Sequence, residues 1–232
     1  MTKTGWLLLA AVLPSTLAAQ HYGLREVRNV GNAGLNLVVA RPVGDFQRNV
    51  GVAGGVNLFA ALNVGRSGAL AIRLDGSYLV YGNDHAIVEL PYYPLGLTTT
   101  YSIATVGLGP QITLGVGSPV QLYGFGTVGV SYFSATTSFD LGGCGCDGFA
   151  DRTDYDDWTP AVQGGGGITL LLSRRRNPVA LDLGARYLWN GEVWYVAPGG
   201  VVQQPNGGVI VTPTRTRADL VTFHVGVSVG LR

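Results

Sequence analysis

From Val64 onward, the connections between segments of this chain alternate between short and long. Those at 65–68, 116–119 and 173–177 are tight, whereas those at roughly 82–98, 135–157 and 190–217 are long. A shorter connection, about 42–50, precedes them, so seven turn regions leave eight segments. Strands that run up and down, with tight turns at one end and long excursions at the other, produce this rhythm.

Within the segments, apolar residues recur at every second position, the period of a strand with one apolar face. Along 179–189, one face reads Val179, Leu181, Leu183, Ala185, Tyr187, Trp189 and the other Ala180, Asp182, Gly184, Arg186, Leu188. Along 220–232, Val221, Phe223, Val225, Val227, Val229 and Leu231 oppose Thr222, His224, Gly226, Ser228 and Gly230. Leu70, Ile72 and Leu74 alternate with Ala71, Arg73, Asp75 and Ser77. Segments 52–64 and 101–116 follow suit, and the first strand is expected over 34–41. Glycines interrupt 120–132 and 158–172, and the run at 164–167 leaves the register there open. The second face is mostly Gly, Ala, Ser, Thr and Asn. A soluble sandwich would turn a water-facing surface rich in Lys and Glu outward. Small residues instead suit the interior of a closed eight-stranded barrel, which side chains just fill.

Composition agrees. Charged residues make up 12% of the 232 residues, and glycine contributes 36. A typical charged fraction is about 25%. A membrane-spanning helix needs about 20 consecutive apolar residues, whereas a tilted membrane strand needs about 9–11. The longest apolar run, 6–13, is too short for a spanning helix. With Lys3 ahead of it and Leu17-Ala18-Ala19 behind, it reads as the core of a signal peptide. The expected organisation is a signal peptide at 1–19, an N-terminal lead at 20–33 and one barrel domain at 34–232. Lys3 is the only lysine, so cleavage leaves 14 arginines against 14 acids. No global field then favours nucleic acid as a partner. Arg174-Arg175-Arg176 lies in a tight turn and reads as a solvated surface in preference to a phosphate contact.

Aromatic placement gives a separate signal. Tyr78, Tyr81, Tyr101, Tyr132, Phe133, Trp158, Tyr187 and Trp189 all border the long connections, and the short-turn ends carry none. Amphipathic rings concentrate at membrane–water boundaries. The expected fold is therefore all-β: a closed antiparallel up-and-down transmembrane β-barrel of eight strands, with one girdle on the long-loop side.

After the first strand comes Arg41-Pro42-Val43-Gly44-Asp45-Phe46, then a glycine-rich strand from Gly51. In this turn, and over about 34–232, the chain resembles the small outer-membrane barrels of the OmpA/OmpX-like superfamily. It departs from their pattern in ending Gly230-Leu231-Arg232 instead of on an aromatic residue. The resemblance implies an outer-membrane location, termini on the periplasmic side and long loops outside. It also implies outer-membrane lipids and the barrel assembly machinery as partners.

Four constellations bear on chemistry. Arg73, Asp75, Asp182 and Arg186 project to the small-residue side from strands on opposite sides of the ring. A paired salt-bridge network that holds the barrel closed is favoured over a polar plug or narrow ion path, because unpaired buried charges are expensive; Gln111 and His224 are candidates to join it. Cys144 and Cys146 read as a possible disulfide, with free thiols or metal as alternatives. Asp140, Asp147, Asp151, Asp154, Asp156 and Asp157 form an acidic loop, read as solvated ahead of a Ca²⁺ site. Catalysis needs a nucleophile with a base, and the three histidines offer little. His21 lies in the lead and His85 near Asp84 and Glu89, while His224 and Ser228 are about 13 Å apart along a strand. The expectation is a non-enzymatic barrel with a structural or surface-interaction role and no cofactor. A narrow porin-like channel for small solutes, a lipid-acting enzyme and a secreted soluble sandwich are the alternatives.

Overall fold

The computed structural model describes residues 30–231, apart from 66, 90–93, 142–149, 175–176 and 204–208. The signal peptide, His21, Cys144, Cys146 and Asp147 lie outside the described residues, as do the side chains of Glu89, Asp140 and Asp151. Among the described residues there are ten strands. In order they are β1 (Gly31–Pro42), β2 (Ala53–Val64), β3 (Leu70–Glu89), β4 (Pro94–Leu114) and β5 (Val120–Leu141). Then come β6 (Ala150–Ser173), β7 (Val179–Asn190), β8 (Glu192–Gln203), β9 (Val209–Arg217) and β10 (Leu220–Leu231). Eight close into one barrel in the order β1-β10-β7-β6-β5-β4-β3-β2, while β8 and β9 form a separate two-stranded sheet. The ring closes where β1 pairs β10, from Gly31↔Leu231 to Pro42↔Leu220. That pairing draws the end of the expected lead into β1, which starts at Gly31 instead of at 34.

The two faces separate as the alternation predicts. Leu35, Leu37 and Val39 of β1 are 54%, 66% and 56% exposed. Leu58, Leu74, Val106, Val128, Leu183 and Val225 continue the exposed apolar belt round the ring. Soluble monomers rarely expose apolar patches beyond a few hundred Å². A belt on every barrel strand is stable against hydrocarbon, where a closed ring also leaves no backbone group unpaired. The soluble sandwich is excluded.

The long connections are not loops. β3 to β6 span 20, 21, 22 and 24 residues, about twice the 9–11 that a tilted crossing uses. Pairing continues out to Glu89↔Pro94, Leu95↔Leu141 and Phe139↔Ala150. Backbone groups need partners wherever water does not supply them, and Thr98–Thr100 and Thr136–Thr137 favour strand. Their barrel neighbours stop short, with β2 beginning at Ala53 and β7 ending at Asn190. The four strands therefore stand beyond the ring as a projecting sheet. Bulges at Val80/Gly82 and Ala135/Thr136 mark the departure, as expected where a sheet leaves a barrel rim. The third excursion, 190–217, folds as the β8–β9 hairpin.

Candidate functional site in the lumen

The interior divides into a charged half toward the tight turns and an apolar half toward the hairpins. Arg73 and Asp75 sit two apart on β3 and share its inner face; both side chains are fully buried. Arg73 donates from Nε and Nη2 to Asp75 Oδ2 at 2.9 and 2.8 Å, and from Nη1 to Gln111 Oε1 at 2.9 Å. From the far side of the ring, Arg186 Nη1 donates to Asp75 Oδ1 at 2.6 Å and to Gln163 Oε1 at 3.3 Å. Asn57 Nδ2 adds a bond to Asp75 Oδ1 at 2.7 Å. One carboxylate thus binds two guanidiniums. The Arg73 guanidinium is also sandwiched between the rings of Phe59 and Phe125, 3.9 and 4.3 Å from their centroids, a desolvated cation–π arrangement.

Asp182 stands apart from this triad. No arginine pairs with it among the described residues; Tyr123 Oη donates to its Oδ1 at 2.7 Å and Asn36 Nδ2 to its Oδ2 at 3.3 Å. His224 Nε2 lies 3.7 Å from Oδ2 and 3.0 Å from Tyr123 Oη. Tyr123 has one proton and gives it to Asp182, so its oxygen accepts from His224 Nε2–H. The expected four-member network is therefore two arginines on Asp75 plus a Tyr–Asp–His cluster, with no ion pair between the two among the described residues. A bridge of amides links them: Asn36 Nδ2 donates to both Asp182 Oδ2 and Asn57 Oδ1 at 3.3 Å, and Asn57 donates to Asp75. Gln111 joins the first group and His224 the second.

Inward glycines make room for these side chains. A Cβ at Gly165 would come within 2.5 Å of Arg186 Cβ, and one at Gly167 within 2.7 Å of Tyr123 Oη. At Gly226 it would collide with Asn36 Oδ1. The glycine run of β6, whose register the sequence leaves open, pairs Gly165 with Arg186 and Gly167 with Gly184. Large inward residues on one strand thus face glycines on the next.

Above the charges, the lumen is filled by rings. The connection after β1 makes a single 3-10 turn, Phe46–Arg48, that buries Phe46 completely. Its ring meets Tyr81 of β3, Phe133 of β5 and Tyr195 of β8 at centroid distances of 5.9, 6.3 and 4.9 Å. Rings from non-adjacent strands can converge only inside the barrel. Of the expected girdle, Tyr81, Tyr101 and Phe133 therefore belong to this plug, as their near-complete burial confirms. Tyr78, Trp158 and Trp189 are exposed, with Tyr132 packed on Trp158 and Tyr187 on Trp189. They make the girdle a smaller one. The parity of Tyr81, which matches that of Arg73, Asp75 and Ser77, carries this signal.

β8 crosses the mouth as a strap. Trp194 N–H donates to Asp157 Oδ2 of β6 at 2.9 Å, and Tyr81 Oη of β3 donates to the Val196 carbonyl at 3.0 Å. Asn49 Nδ2 donates to Tyr195 Oη at 2.9 Å. Asp84 accepts from Tyr101 Oη at 2.8 Å and from the Gly199 amide.

The remaining candidates are not assembled into reactive groups. His224 and Asp182 are closed off from both lipid and water, and His85 bonds Thr98 Oγ1 at 3.0 Å. Of the acidic stretch, Asp154, Asp156 and Asp157 lie on β6; Asp154 pairs with Arg152 at 3.6 Å. Among the described residues, no three His, Cys, Asp or Glu side chains gather as metal ligands. Arg174 is exposed. Sequence reasoning misses Asn36, Asn57, Phe59, Tyr123, Phe125 and Gln163 as members of the site. Asn57 and Phe59 are legible as inward positions of β2; the others sit on strands whose faces the alternation does not assign.

No protein-family model matches the chain, and no curated protein matches it. Similar solved structures include outer membrane protein OprG from Pseudomonas aeruginosa, at 15% identity and a TM-score of 0.45, covering 88% of this chain and 98% of that one. Neisserial surface protein A is 16% identical over 87% of this chain and 96% of its own, with a TM-score of 0.41. The attachment invasion locus protein Ail of Yersinia pestis is 12% identical over 87% and 99%, with a TM-score of 0.43. The closed barrel here rests on its own strand pairing, not on these likenesses. The structures found are small outer-membrane β-barrels, and this chain too is a closed eight-stranded barrel.

Proposed function

We propose that the protein is an integral outer-membrane barrel, without enzymatic activity, that holds a projecting β-sheet at the cell surface for structural or surface-interaction purposes. The observation that carries this reading is the contrast between a lumen filled twice over and four strands extended far beyond the bilayer's needs. A conducting pore calls for a continuous polar path, and Phe46 and Tyr195 block one. A lipid-acting enzyme calls for a nucleophile and base at the rim; His224 is buried in the lumen, and His85, on the projecting sheet, bonds Thr98 Oγ1. On this reading, the partners are outer-membrane lipids along the belt, the assembly machinery during insertion, and an extracellular surface facing the projecting sheet.

The orientation is testable in cells. In a Cys144→Ser, Cys146→Ser background, Asn83→Cys on the projecting sheet is expected to react with a membrane-impermeant maleimide on intact cells. Ser118→Cys, in a tight turn, is expected to react only after the membrane is opened. The opposite pattern would invert the reading, and labelling of both without opening would remove the protein from the membrane.

A further inference from the structure

Between the charged half and the plug lies a cavity of about 10 Å³, lined by Val38, Ser77, Leu79, Gln163, Arg186, Leu188 and Thr222. Three of these are apolar residues of the plug side, and four are polar. Arg186 Nε and Nη2 and Thr222 Oγ1 are buried without a protein partner. Arg186 has spent only Nη1, on Asp75 and Gln163. Buried donors on a cation are costly to leave unpaired, and a cavity holds a water once it offers about 10–15 Å³ and two to four polar partners. Both conditions meet here.

We propose that Arg186, Thr222 and Ser77 form a binding site for one isolated water at the seam between network and plug. The water accepts from Arg186 and exchanges hydrogen bonds with the Thr222 and Ser77 hydroxyls. A halide would also satisfy Arg186, but charge decides against it. Among the described residues, the lumen charges are two arginines and two aspartates, Arg73, Arg186, Asp75 and Asp182, so a bound anion would leave an uncompensated negative charge in a ring surrounded by hydrocarbon. Water adds none. Leu79, Val38 and Leu188 close the plug side of this site.

The test is water–protein cross-relaxation in ¹⁵N-labelled protein in nanodiscs, read at the Arg186 Nε–H. The wild type is expected to show a cross-peak to a long-lived water, Thr222→Ser to keep it, and Thr222→Val to lose it while retaining the heat-dependent gel shift of a folded barrel. A folded wild type with no such cross-peak would overturn the proposal. So would an anomalous peak beside Arg186 in a bromide-soaked crystal, an arm that stands even if Thr222→Val fails to fold.

Discussion

The two halves of the lumen are filled by different parts of the chain. The charged half is built wholly by barrel strands, with Arg73 and Asp75 from β3, Arg186 and Asp182 from β7, and His224 from β10. The plug takes its central rings from outside the ring: Phe46 from the connection after β1 and Tyr195 from β8. The first is fixed as soon as the barrel closes, because inward parity leaves those side chains nowhere else to go. The second depends on two segments folding back over the mouth. The network is therefore expected to govern global stability, and the plug to govern local order at the mouth.

Among variants expected to fold, the largest effect is expected at Asp75. Asp75→Asn leaves two buried guanidiniums without their shared carboxylate, and breaking a buried pair this way costs about 3–5 kcal/mol. Asp182→Asn is expected to cost less, since its partners are a phenol, an amide and an imidazole instead of an arginine. Urea unfolding midpoints in lipid would compare them. Equal losses would mean that the Asn36–Asn57 bridge couples the two clusters into one energetic unit.

Next is the outer face. Leu183→Arg places a charge against lipid and is expected to cost about 2–4 kcal/mol near mid-membrane. Gly184→Arg is expected to abolish folding, because even a Cβ there would lie 2.6 Å from His224 Cε1. Normal folding of Gly184→Arg alongside failure of Leu183→Arg would leave the apolar belt intact but remove the packed lumen.

At the plug, Phe46→Ala is expected to raise hydrogen exchange at the Trp194 and Tyr195 amides while shifting the global midpoint by less than about 1 kcal/mol, since local opening need not involve the core ladder. A loss of about 3–5 kcal/mol, as for a Phe→Ala change in a cooperative core, would join plug and network into one unit. The smallest effect is expected from Tyr81→Phe. It removes one hydrogen bond to the strap, worth about 0.5–1.5 kcal/mol, and should appear only as faster exchange in β8.

The same contrast explains what sequence can reveal. Alternation in β3, β7 and β10 is enough to place Arg73, Asp75, Asp182, Arg186 and His224 on the inner face. It also places the belt, because a period of two assigns every side chain once the apolar face is known. Pairing is another matter. Parity groups Asp182 with the arginines, but its partner Tyr123 lies on a strand whose glycines hide its faces. Phe46 reads as part of a turn motif, and nothing in its spacing indicates that the turn folds inward. The rings at 81, 101 and 133 share a height with the true girdle, and only their parity separates them. The long connections read as loops because tightly spaced turn signals are absent, although their threonines are strand-like.

The most direct test of a doubly filled lumen is electrical. Purified, heat-modifiable barrel in a planar bilayer is expected to give no single-channel steps, and the Phe46→Ala barrel is expected to stay silent as well, because the Arg73–Asp75–Arg186 layer still closes the lower half. Resolved, reproducible steps from the wild type would contradict the account and make the projecting sheet the vestibule of a channel.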